Sequence, residues 1–534
     1  MFAFVSFLSF TLLVAVVSWW KTRQDDQTVG NNYFLAGRSL PWFVVTGSLM
    51  LTNLSTEQLV GLNGGAYLNG FVVIAWEIIA ACALVVMAWK FLPIYWSGQI
   101  TTVPELLEKR FDKNTRTLVS AFFLATIGIT MLPFILYSGA LAMNGLFDVQ
   151  GNLGLSETQS VVIMVIAIGT IGALYAILGG LEAVAISDTI NGVGLLFGGL
   201  LVPFLGILAL GDGNFFGGID RIVDNQRPML DPIGDSRSNI PFSVLFTGMV
   251  VLNMFYWCTN QFIIQRTFGA KSLKEGQKGV LGAAFLKLLG PLYLVLPGII
   301  ALELFGPDLS NGDLAYPMLV NKVLPPALVG LFSAVMFGAI LSSFNSCLHS
   351  ATTLFGLDIY KNVIKKDATD RQAVKAGKIF GTILAVFAMC VAPFILNAPA
   401  GLFDLMKKIG ATFNVPIFAL VVAGILVKKA PTIAAKAILI VGVIFYSFFT
   451  WIYQPSINGQ EVHWLHITGL NFALLITIMF IMGRVKPSEP VDGIPSFFST
   501  YSGSGTADYW SGTKIVGSTV VVCVIAMYAF LHWF

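Results

Sequence analysis

Long apolar runs alternate with short polar connections along this chain of 534 residues. A run of roughly 20 apolar residues crosses a bilayer as an α-helix, and a longer run crosses it at a tilt. The pattern predicts fourteen membrane-spanning helices. They lie near residues 2–20, 40–64, 70–92, 117–146, 158–178, 183–211, 242–265, 279–304, 324–358, 374–396, 400–427, 432–453, 464–483 and 513–533.

Polar clusters interrupt the second and the seventh of these runs. The first cluster is residues 52–58 (TNLSTEQ) and the second is residues 253–261 (NMFYWCTNQ). Polar groups at membrane depth are costly unless they meet a partner, water or an ion. Interruptions at corresponding positions of two halves indicate the binding site of a secondary transporter.

The runs also predict the domain organisation. Runs two to six and runs seven to eleven form two sets of five, and each set opens with a polar cluster. An odd-numbered repeat must be inverted in the membrane. We therefore predict an all-α membrane protein divided into a first helix and linker (1–39), a first inverted repeat (40–211), an extracellular loop (212–241), a second inverted repeat (242–427) and peripheral C-terminal helices (428–534).

Composition agrees with the lipid bilayer as the surrounding medium. Hydrophobic residues make up 56% of the chain and charged residues 11%, with a mean hydropathy of +0.80. Soluble domains are nearer a quarter charged, and surface-to-volume scaling forbids a soluble fold that is almost all core. No basic face interleaved with aromatic residues suggests a nucleic-acid partner. The four histidines form no triad or ligand spacing, so we do not expect an enzyme.

The positions of Lys and Arg predict the orientation. If the first connection, with Lys21 and Arg23, is cytoplasmic, the inside loops hold most of the chain's 31 Lys and Arg residues. The outside loops hold four: Arg221, Arg227, Arg237 and Lys322. This is the asymmetry of the positive-inside rule. It predicts a multi-pass protein of the plasma membrane, the inner membrane of a bacterium, with both termini extracytoplasmic.

Asn53, Ser55, Glu57 and Gln58 give the first cluster its chemistry. They follow one another too closely to form a single polar stripe on a helix. A helix broken here exposes carbonyl groups that can bind a cation and frees side chains for a solute. The alternative is that these groups hydrogen-bond neighbouring helices.

In the second cluster, amides stand beside aromatic rings, as in Asn253, Tyr256 and Trp257. This combination suits a sugar, because its hydroxyls need donors and acceptors while its C–H face stacks on a ring. The alternative is an aromatic belt at the membrane interface. We expect Arg266, just beyond the cluster, to mark a cytoplasmic helix end.

Isolated charges and hydroxyls add further candidates for the ion site and the solute site. Glu77 and Lys287 are lone charges in apolar runs, where charge is expensive and usually paired. Asp188 can support a cation or cap a helix end. The adjacent Ser342 and Ser343 offer hard oxygen ligands for Na⁺, although a close-packed helix face has the same composition.

Together these residues resemble the sodium/glucose cotransporter branch of the sodium:solute symporter family, including bacterial sodium/galactose symporters. The stretches that carry the resemblance are residues 33–40 (YFLAGRSL), 55–58 (STEQ), 256–266 (YWCTNQFIIQR), 270–272 (AKS), 277–279 (QKG) and 342–343 (SS). The resemblance implies a LeuT-like fold with two inverted five-helix repeats and Na⁺-coupled alternating access.

The resemblance also implies roles for individual positions. Sugar contacts would be Gln58, Glu77, Asn253 and Lys287. Gate residues would be Asn53, Tyr256, Leu62, Trp76 and Phe403. The sodium site would comprise the carbonyls of Leu51, Leu54 and Ala339 and the hydroxyls of Ser342 and Ser343, with Asp188 nearby.

Three positions depart from the bacterial galactose pattern. Ala80 replaces a serine, Met131 replaces an asparagine and Lys407 replaces a glutamine. Losing two hydroxyl-binding groups while gaining a cation suggests a substrate with an anionic substituent such as sulfate or carboxylate. The alternative is that Lys407 points to the outer vestibule or pairs with Asp404.

The sequence thus predicts a symporter that imports Na⁺ together with a monosaccharide. Two alternatives remain at this point. One is a Na⁺ symporter for another organic solute, such as an inositol, sialic acid or an anionic or sulfated sugar. The other is a membrane sensor that binds sugar without moving it, although no kinase, phosphotransfer or DNA-binding segment is recognisable.

Overall fold

The computed structural model describes residues 5–13, 16, 38–309, 312–397, 402–489 and 509–533, with the side chains of 177–189 left out. Within this part of the chain ten helices are long and apolar enough to cross a membrane, or eleven if a bent pair, Leu273–Lys287 with Gly290–Phe305, counts as one span. Nine of the nineteen residues of the predicted first helix, 2–20, lie outside the described residues, so the total of fourteen stays a prediction.

The described chain is almost entirely helical. Its α-helices in chain order are α1 Trp42–Asn53, α2 Thr56–Asn69, α3 Ala75–Val86, α4 Leu92–Ser97, α5 Val103–Arg110, α6 Lys113–Thr126, α7 Leu132–Phe147, α8 Val149–Leu153, α9 Glu157–Leu210, α10 Phe215–Leu230, α11 Gly248–Cys258, α12 Gln261–Phe268, α13 Leu273–Lys287, α14 Gly290–Leu294, α15 Leu296–Phe305, α16 Ala315–Val323, α17 Pro326–Thr353, α18 Asp370–Val391, α19 Leu402–Leu426, α20 Thr432–Ser447, α21 Trp464–Val485 and α22 Thr513–Trp533.

Shorter elements join these helices. Tight turns of 3₁₀ helix lie at Gly70–Ile74, Phe242–Phe246, Gly312–Leu314 and Ala392–Asn397, and wider π turns at Met87–Phe91, Ile127–Met131, Leu354–Ile364 and Phe448–Tyr453. Two short antiparallel strands, β1 Ser456–Ile457 and β2 Gln460–Glu461, form a hairpin between α20 and α21.

Helix starts follow local capping chemistry. Ser156 and Thr369 form reciprocal capping boxes at the starts of α9 and α18. Asp112 caps α6 by accepting from the Thr115 amide at 2.7 Å. Burial by itself raises the pKa of Asp112, but Lys436 at 2.6 Å and the Thr115 donors outweigh it and hold that pKa below its usual range. This cap therefore joins α6 to the start of α20.

Both polar clusters coincide with helix breaks. α1 ends at Asn53 and α2 begins at Thr56, and Ser55 between them is extended with φ −88° and ψ 172°. α11 ends at Cys258 and α12 begins at Gln261, again after an extended residue, Asn260. The backbone is therefore irregular at the two places that the sequence indicates.

The broken helices lie inside the bundle, and other helices face outward. α1 packs against α9, α13 and α17, whereas α11 packs against α3, α19 and α21. Large apolar side chains remain exposed on the outer helices, among them Phe197, Ile383, Ile444 and Ile525. Lipid is as apolar as these side chains, so a membrane accommodates the exposed faces that water would not.

The predicted extracellular loop, 212–241, contains the helix α10 and is held down at two points. Gly70 has φ +76°, and a Cβ there would lie 2.5 Å from the carbonyl oxygen of Met229, so this turn requires glycine. The Glu303 carboxylate accepts from Arg221 at 2.8 Å and also from Asn225 and Gln226. The segment thus covers the turn between α2 and α3.

A buried carboxylate organises the Lys- and Arg-rich end of the bundle. Asp358, in the π turn after α17, is fully buried. It accepts from Thr102 at 3.1 Å, from Ser120 at 2.9 Å and from the Arg116 guanidinium. Arg110 of the neighbouring short helix α5 donates to backbone carbonyls at the end of α19. These contacts link the π turn, α5, α6 and the end of α19.

We expect Asp358→Asn to destabilise the protein strongly, because the Arg116 cation loses its fully buried partner and keeps the more exposed Glu108. Breaking a buried ion pair typically costs about 3–5 kcal/mol. The measurement is the apparent Tm of the purified protein in detergent. The control is Asp370→Asn, which removes the exposed ion pair with Lys361 and should cost no more than about 1 kcal/mol. Equal Tm shifts in the two variants would contradict the assigned role of Asp358.

Candidate functional site

A small cavity lies where the two helix breaks face each other. Its volume is about 30 Å³, room for one or two water molecules. It is lined by residues of both breaks and of α2, α3, α19 and the π turn before α7: Asn53, Gln58, Trp76, Glu77, Ala80, Met131, Leu252, Asn253, Phe255, Tyr256, Trp257, Phe403, Met406, Lys407 and Asn414. A larger solute requires the surrounding helices to move apart.

A side-chain hydrogen bond joins the two breaks. The Asn53 amide donates to the Tyr256 hydroxyl at 3.2 Å. The Tyr256 ring packs edge-on against Trp257 and Phe262, at centroid distances of 5.2 and 5.6 Å. Tyr256 is thereby held in place on one side of the cavity, as the predicted gate aromatic would be.

A second aromatic contact lies on another wall of the cavity. The rings of Trp76 and Phe403 meet edge to face at 5.7 Å. A Cβ on Gly61 would lie 2.8 Å from the Phe403 Cβ, so α2 and α19 approach closely here. Leu62 is buried but does not line the cavity. The gate roles of these residues stay predictions.

The two lone charges of the sequence form an ion pair. Lys287 Nζ lies 2.6 Å from Glu77 Oε2, and both side chains are buried. The ammonium also lies 5.5 Å from the centre of the Trp257 ring. Glu77 lines the cavity, whereas Lys287 is not among the lining residues. Lys287 therefore neutralises and positions Glu77, and of the pair Glu77 is the side chain placed to meet a solute.

Amide oxygens supply the cavity with unsatisfied acceptors. Asn53 Oδ1, Gln58 Oε1 and Asn414 Oδ1 are buried and have no hydrogen-bond partner within the described part of the chain. Asn253, also predicted as a contact, donates to the Met249 carbonyl at 3.1 Å in its own helix. Asn414 is a lining residue that the sequence reasoning missed. It lies in an apolar run, and an amide at membrane depth was the available signal.

Lys407 also lines the cavity. Its Nζ lies 4.8 Å from the centre of the Phe403 ring, 4.9 Å from Tyr256 and 5.9 Å from Trp76. These distances are within the range of cation–π attraction. The side chain thus reaches the same aromatic groups that border the proposed solute site.

A second polar centre lies between the first break and α17. Ser343 Oγ donates to the Thr52 carbonyl at 3.1 Å, which ties α17 to the last turn of α1. Ser342 Oγ is buried and unpaired as far as the chain is described. Leu51, Leu54 and Ala339, the predicted carbonyl ligands, are buried in the same region. The arrangement offers oxygen atoms of the kind that Na⁺ prefers.

Arg266 lies in the last turn of α12, as expected for a helix end. Its side chain is nevertheless buried, with 1% exposure, and its guanidinium donates to the Ser346 hydroxyl. Ser346 in turn is hydrogen-bonded to the Thr52 hydroxyl at 3.2 Å and donates to the Ser342 carbonyl at 2.6 Å. The position of Arg266 just after the second cluster predicted the end of a helix. Tertiary packing also turns its side chain inward, toward the serine-bearing helix α17.

The side chain of Asp188 lies outside the described residues, so its predicted support of the ion site is not described. Three residues further along α9, Asn191 is buried, and a Cβ on Gly338 would lie 2.4 Å from its side-chain carbon. α9 therefore packs directly on the serine-bearing helix. Gly338 is required there because any larger residue would displace Asn191.

A buried carboxyl lies beyond the cavity, in the 3₁₀ turn Gly312–Leu314. A Cβ on Gly64 of α2 would lie 2.8 Å from Asp313 Oδ1, so the turn packs tightly on α2. Burial raises the pKa of Asp313 to about 6, although a hydrogen bond from the Leu402 backbone lowers it. This turn therefore contacts both α2 and the start of α19.

Two broken helices that meet at a polar cavity within a membrane bundle are characteristic of secondary transporters. The chain belongs to the sodium:solute symporter family, whose model matches residues 33–442. It is 43% identical over 530 residues to the uncharacterized symporter YidK of Escherichia coli (strain K12), covering 99% of this chain and 91% of that protein. It is 32% identical over 551 residues to the sodium/glucose cotransporter of Vibrio parahaemolyticus, covering 98% of each.

The fold is also similar to a solved structure. A substrate-bound, outward-open Na⁺-coupled sialic acid symporter matches with a TM-score of 0.78 and 21% identity, covering 92% of this chain and 99% of that chain. The predicted LeuT-like fold is thus confirmed, and Na⁺ is the coupling ion of this multi-pass transporter. The roles of individual site residues stay predictions.

We expect Lys287→Gln to destabilise the protein by about 3–5 kcal/mol, because the Glu77 carboxylate then stays buried without its partner. The double variant Glu77→Gln/Lys287→Gln should be more stable than Lys287→Gln alone, since it leaves no unpaired charge. The apparent Tm of the three variants, with Glu77→Gln as the fourth corner of a double-mutant cycle, checks this. Strictly additive shifts would show that the two charges do not interact.

Proposed function

We propose that this protein imports a polyhydroxylated solute of monosaccharide size together with Na⁺ across the plasma membrane of a bacterium. Both termini would lie outside the cytoplasm. The observation that carries the proposal is the cavity at the two helix breaks, where aromatic rings stand beside amide oxygens that lack donors.

The chemistry of the cavity suits a sugar or a similar polyol. Sugar hydroxyls can donate to the unpaired oxygens of Gln58 and Asn414 and to the Glu77 carboxylate. The Tyr256 and Trp76 rings offer apolar faces for the C–H groups of a pyranose. Each buried acceptor that finds a donor removes a desolvation penalty, so a polyol would stabilise a form of the site in which the surrounding helices have moved apart to admit it.

Neighbouring residues in the last turn of α1 support coupling between ion and solute. The Thr52 carbonyl accepts from Ser343 at the proposed Na⁺ site, and the next residue, Asn53, holds Tyr256 at the solute cavity. An ion that orders this segment also places Asn53 and Tyr256. Coupling requires only that Na⁺ binds the two access states unequally.

The membrane potential adds to the driving force. Moving one charge inward through 100 mV is worth about 2.3 kcal/mol. No sugar fits the cavity of about 30 Å³ in this structure. We therefore propose alternating access, in which the breaks open first toward the outside with Na⁺ bound and then toward the cytoplasm.

Similarity to known proteins supports this class of cargo without fixing the solute. One relative is a sodium/glucose cotransporter, and the structural neighbour is a sialic acid symporter. An inositol therefore belongs with neutral and acidic sugars in any substrate panel. A sensor that binds sugar without moving it would show binding but no accumulation in proteoliposomes.

We expect accumulation of at least one sugar or polyol in proteoliposomes under an inward Na⁺ gradient, and none when choline replaces Na⁺. Gln58→Ala should abolish that uptake, because it removes a cavity acceptor. Gln150→Ala, an exposed glutamine in α8, is the matched control and should transport normally. Binding without accumulation would identify a sensor, and undiminished uptake by Gln58→Ala would remove the proposed solute site.

We expect Ser342→Ala to raise the Na⁺ concentration for half-maximal uptake by about tenfold, as the loss of one polar ligand worth about 1.4 kcal/mol would do. The control is Ser333→Ala on the same helix, where the hydroxyl donates to the Val329 carbonyl at 2.7 Å. Uptake measured against Na⁺ concentration compares the two. Identical Na⁺ dependence in both variants would place the ion elsewhere.

A further inference from the structure

We infer that the transported sugar carries one oxyanion substituent, a sulfate ester or a carboxylate, and that Lys407 binds it. This inference rests on the proposed function, since it names the class of solute for the same cavity. The side chains that carry it are Lys407 itself, the three rings around it and the acidic groups nearest to it.

Lys407 lines the cavity, and three aromatic rings surround its ammonium group. Its ammonium lies within 6 Å of the ring centres of Trp76, Tyr256 and Phe403. Rings attract a cation through their quadrupoles but accept its N–H groups poorly. The three donors of the ammonium therefore remain available, and no described residue accepts a hydrogen bond from them.

No carboxylate touches the Lys407 ammonium within the described part of the chain. Glu77 is already engaged by Lys287 at 2.6 Å. Glu57, the acidic residue of the first cluster, is buried and attracts Lys407 from beyond ion-pair distance. A cation at membrane depth without a direct partner is costly, so a bound anion would be favoured here.

The orientation of Lys407 is distinct from that of its neighbour. Lys408 lies 4.6 Å from the centre of the Trp451 ring, on the peripheral helices. Lys407 points instead to the ring of Tyr256, beneath the predicted solute position. The alternative in which Lys407 is paired with Asp404 therefore does not describe this geometry.

The rest of the cavity limits the anion to a single charge. Lys287 is neutralised by Glu77, so Lys407 is the cation that remains for a solute within the described lining. Ala80 and Met131 make the adjoining wall apolar. A phosphate ester carries more than one negative charge at neutral pH and would lack a second cation. A sulfate ester or carboxylate matches one ammonium, while the sugar hydroxyls meet the amide oxygens.

The test is uptake by the purified protein in proteoliposomes under a Na⁺ gradient, with accumulated solute measured by mass spectrometry. Mass detection reports the accumulated solute whether or not the transport cycle moves net charge. The panel contains galactose, glucose and myo-inositol as neutral solutes, galacturonate, glucuronate and N-acetylneuraminate as carboxylates, and galactose 6-sulfate and glucose 6-sulfate as sulfate esters. Glucose 6-phosphate tests the limit on charge.

The wild type should accumulate at least one carboxylate or sulfate ester about tenfold better than its neutral parent. Lys407→Gln should reverse that preference by losing acidic uptake while keeping or gaining neutral uptake, and Lys407→Arg should retain acidic uptake. Lys408→Gln is the matched control and should keep the wild-type preference. The carboxylate and sulfate arms identify which oxyanion is recognised.

The outcomes separate this inference from the function on which it rests. Na⁺-driven uptake of a neutral solute, with acidic sugars excluded or equally transported, would overturn the inference and leave the proposed function standing. Absence of Na⁺-driven uptake across the whole panel would count against both. Should Lys407→Gln fail to fold, a competition assay with the wild type decides. The inference then requires acidic sugars to inhibit uptake of the transported solute more strongly than their neutral parents do.

Discussion

The structure depends on the satisfaction of polar groups inside an apolar medium. A helix break at membrane depth exposes backbone groups that lipid cannot hydrogen-bond, so each break must be surrounded by protein, ions or solute. Here the first break is held by α17 through Ser343 and by the second break through Tyr256. The positions of the surrounding helices follow from this requirement, because they must supply the partners.

The same constraint distinguishes the polar groups that support the fold from those placed for function. Asp358 is surrounded by donors, and Glu77 is paired with Lys287. Gln58, Asn414 and Ser342 are equally buried, yet the described residues leave an oxygen of each unpaired. Groups of the first kind stabilise one arrangement. Groups of the second kind can be satisfied by an ion or a solute that enters the site.

The sequence predicted the parts of the structure that depend on local composition. Apolar run lengths predicted spanning helices, of which ten or eleven are found in the described residues. The clusters at 52–58 and 253–261 predicted where helices break, because both signals lie in consecutive residues. The burial of Arg266 and the cavity position of Asn414 were missed because their environment comes from helices distant in sequence. The direction of Lys407 was likewise open, since adjacent lysines on one helix diverge only once the π turn after α20 and the second break are packed around them.

One peptide unit separates the carbonyl of Thr52, which faces the serine-bearing helix, from the side chain of Asn53, which faces the aromatic wall. The planar peptide unit that carries the Thr52 carbonyl also carries the Asn53 Cα, so a reorientation of this unit displaces both contacts. If sodium and solute bind at these two contacts, such a linkage would limit slippage, in which sodium crosses alone and dissipates the gradient.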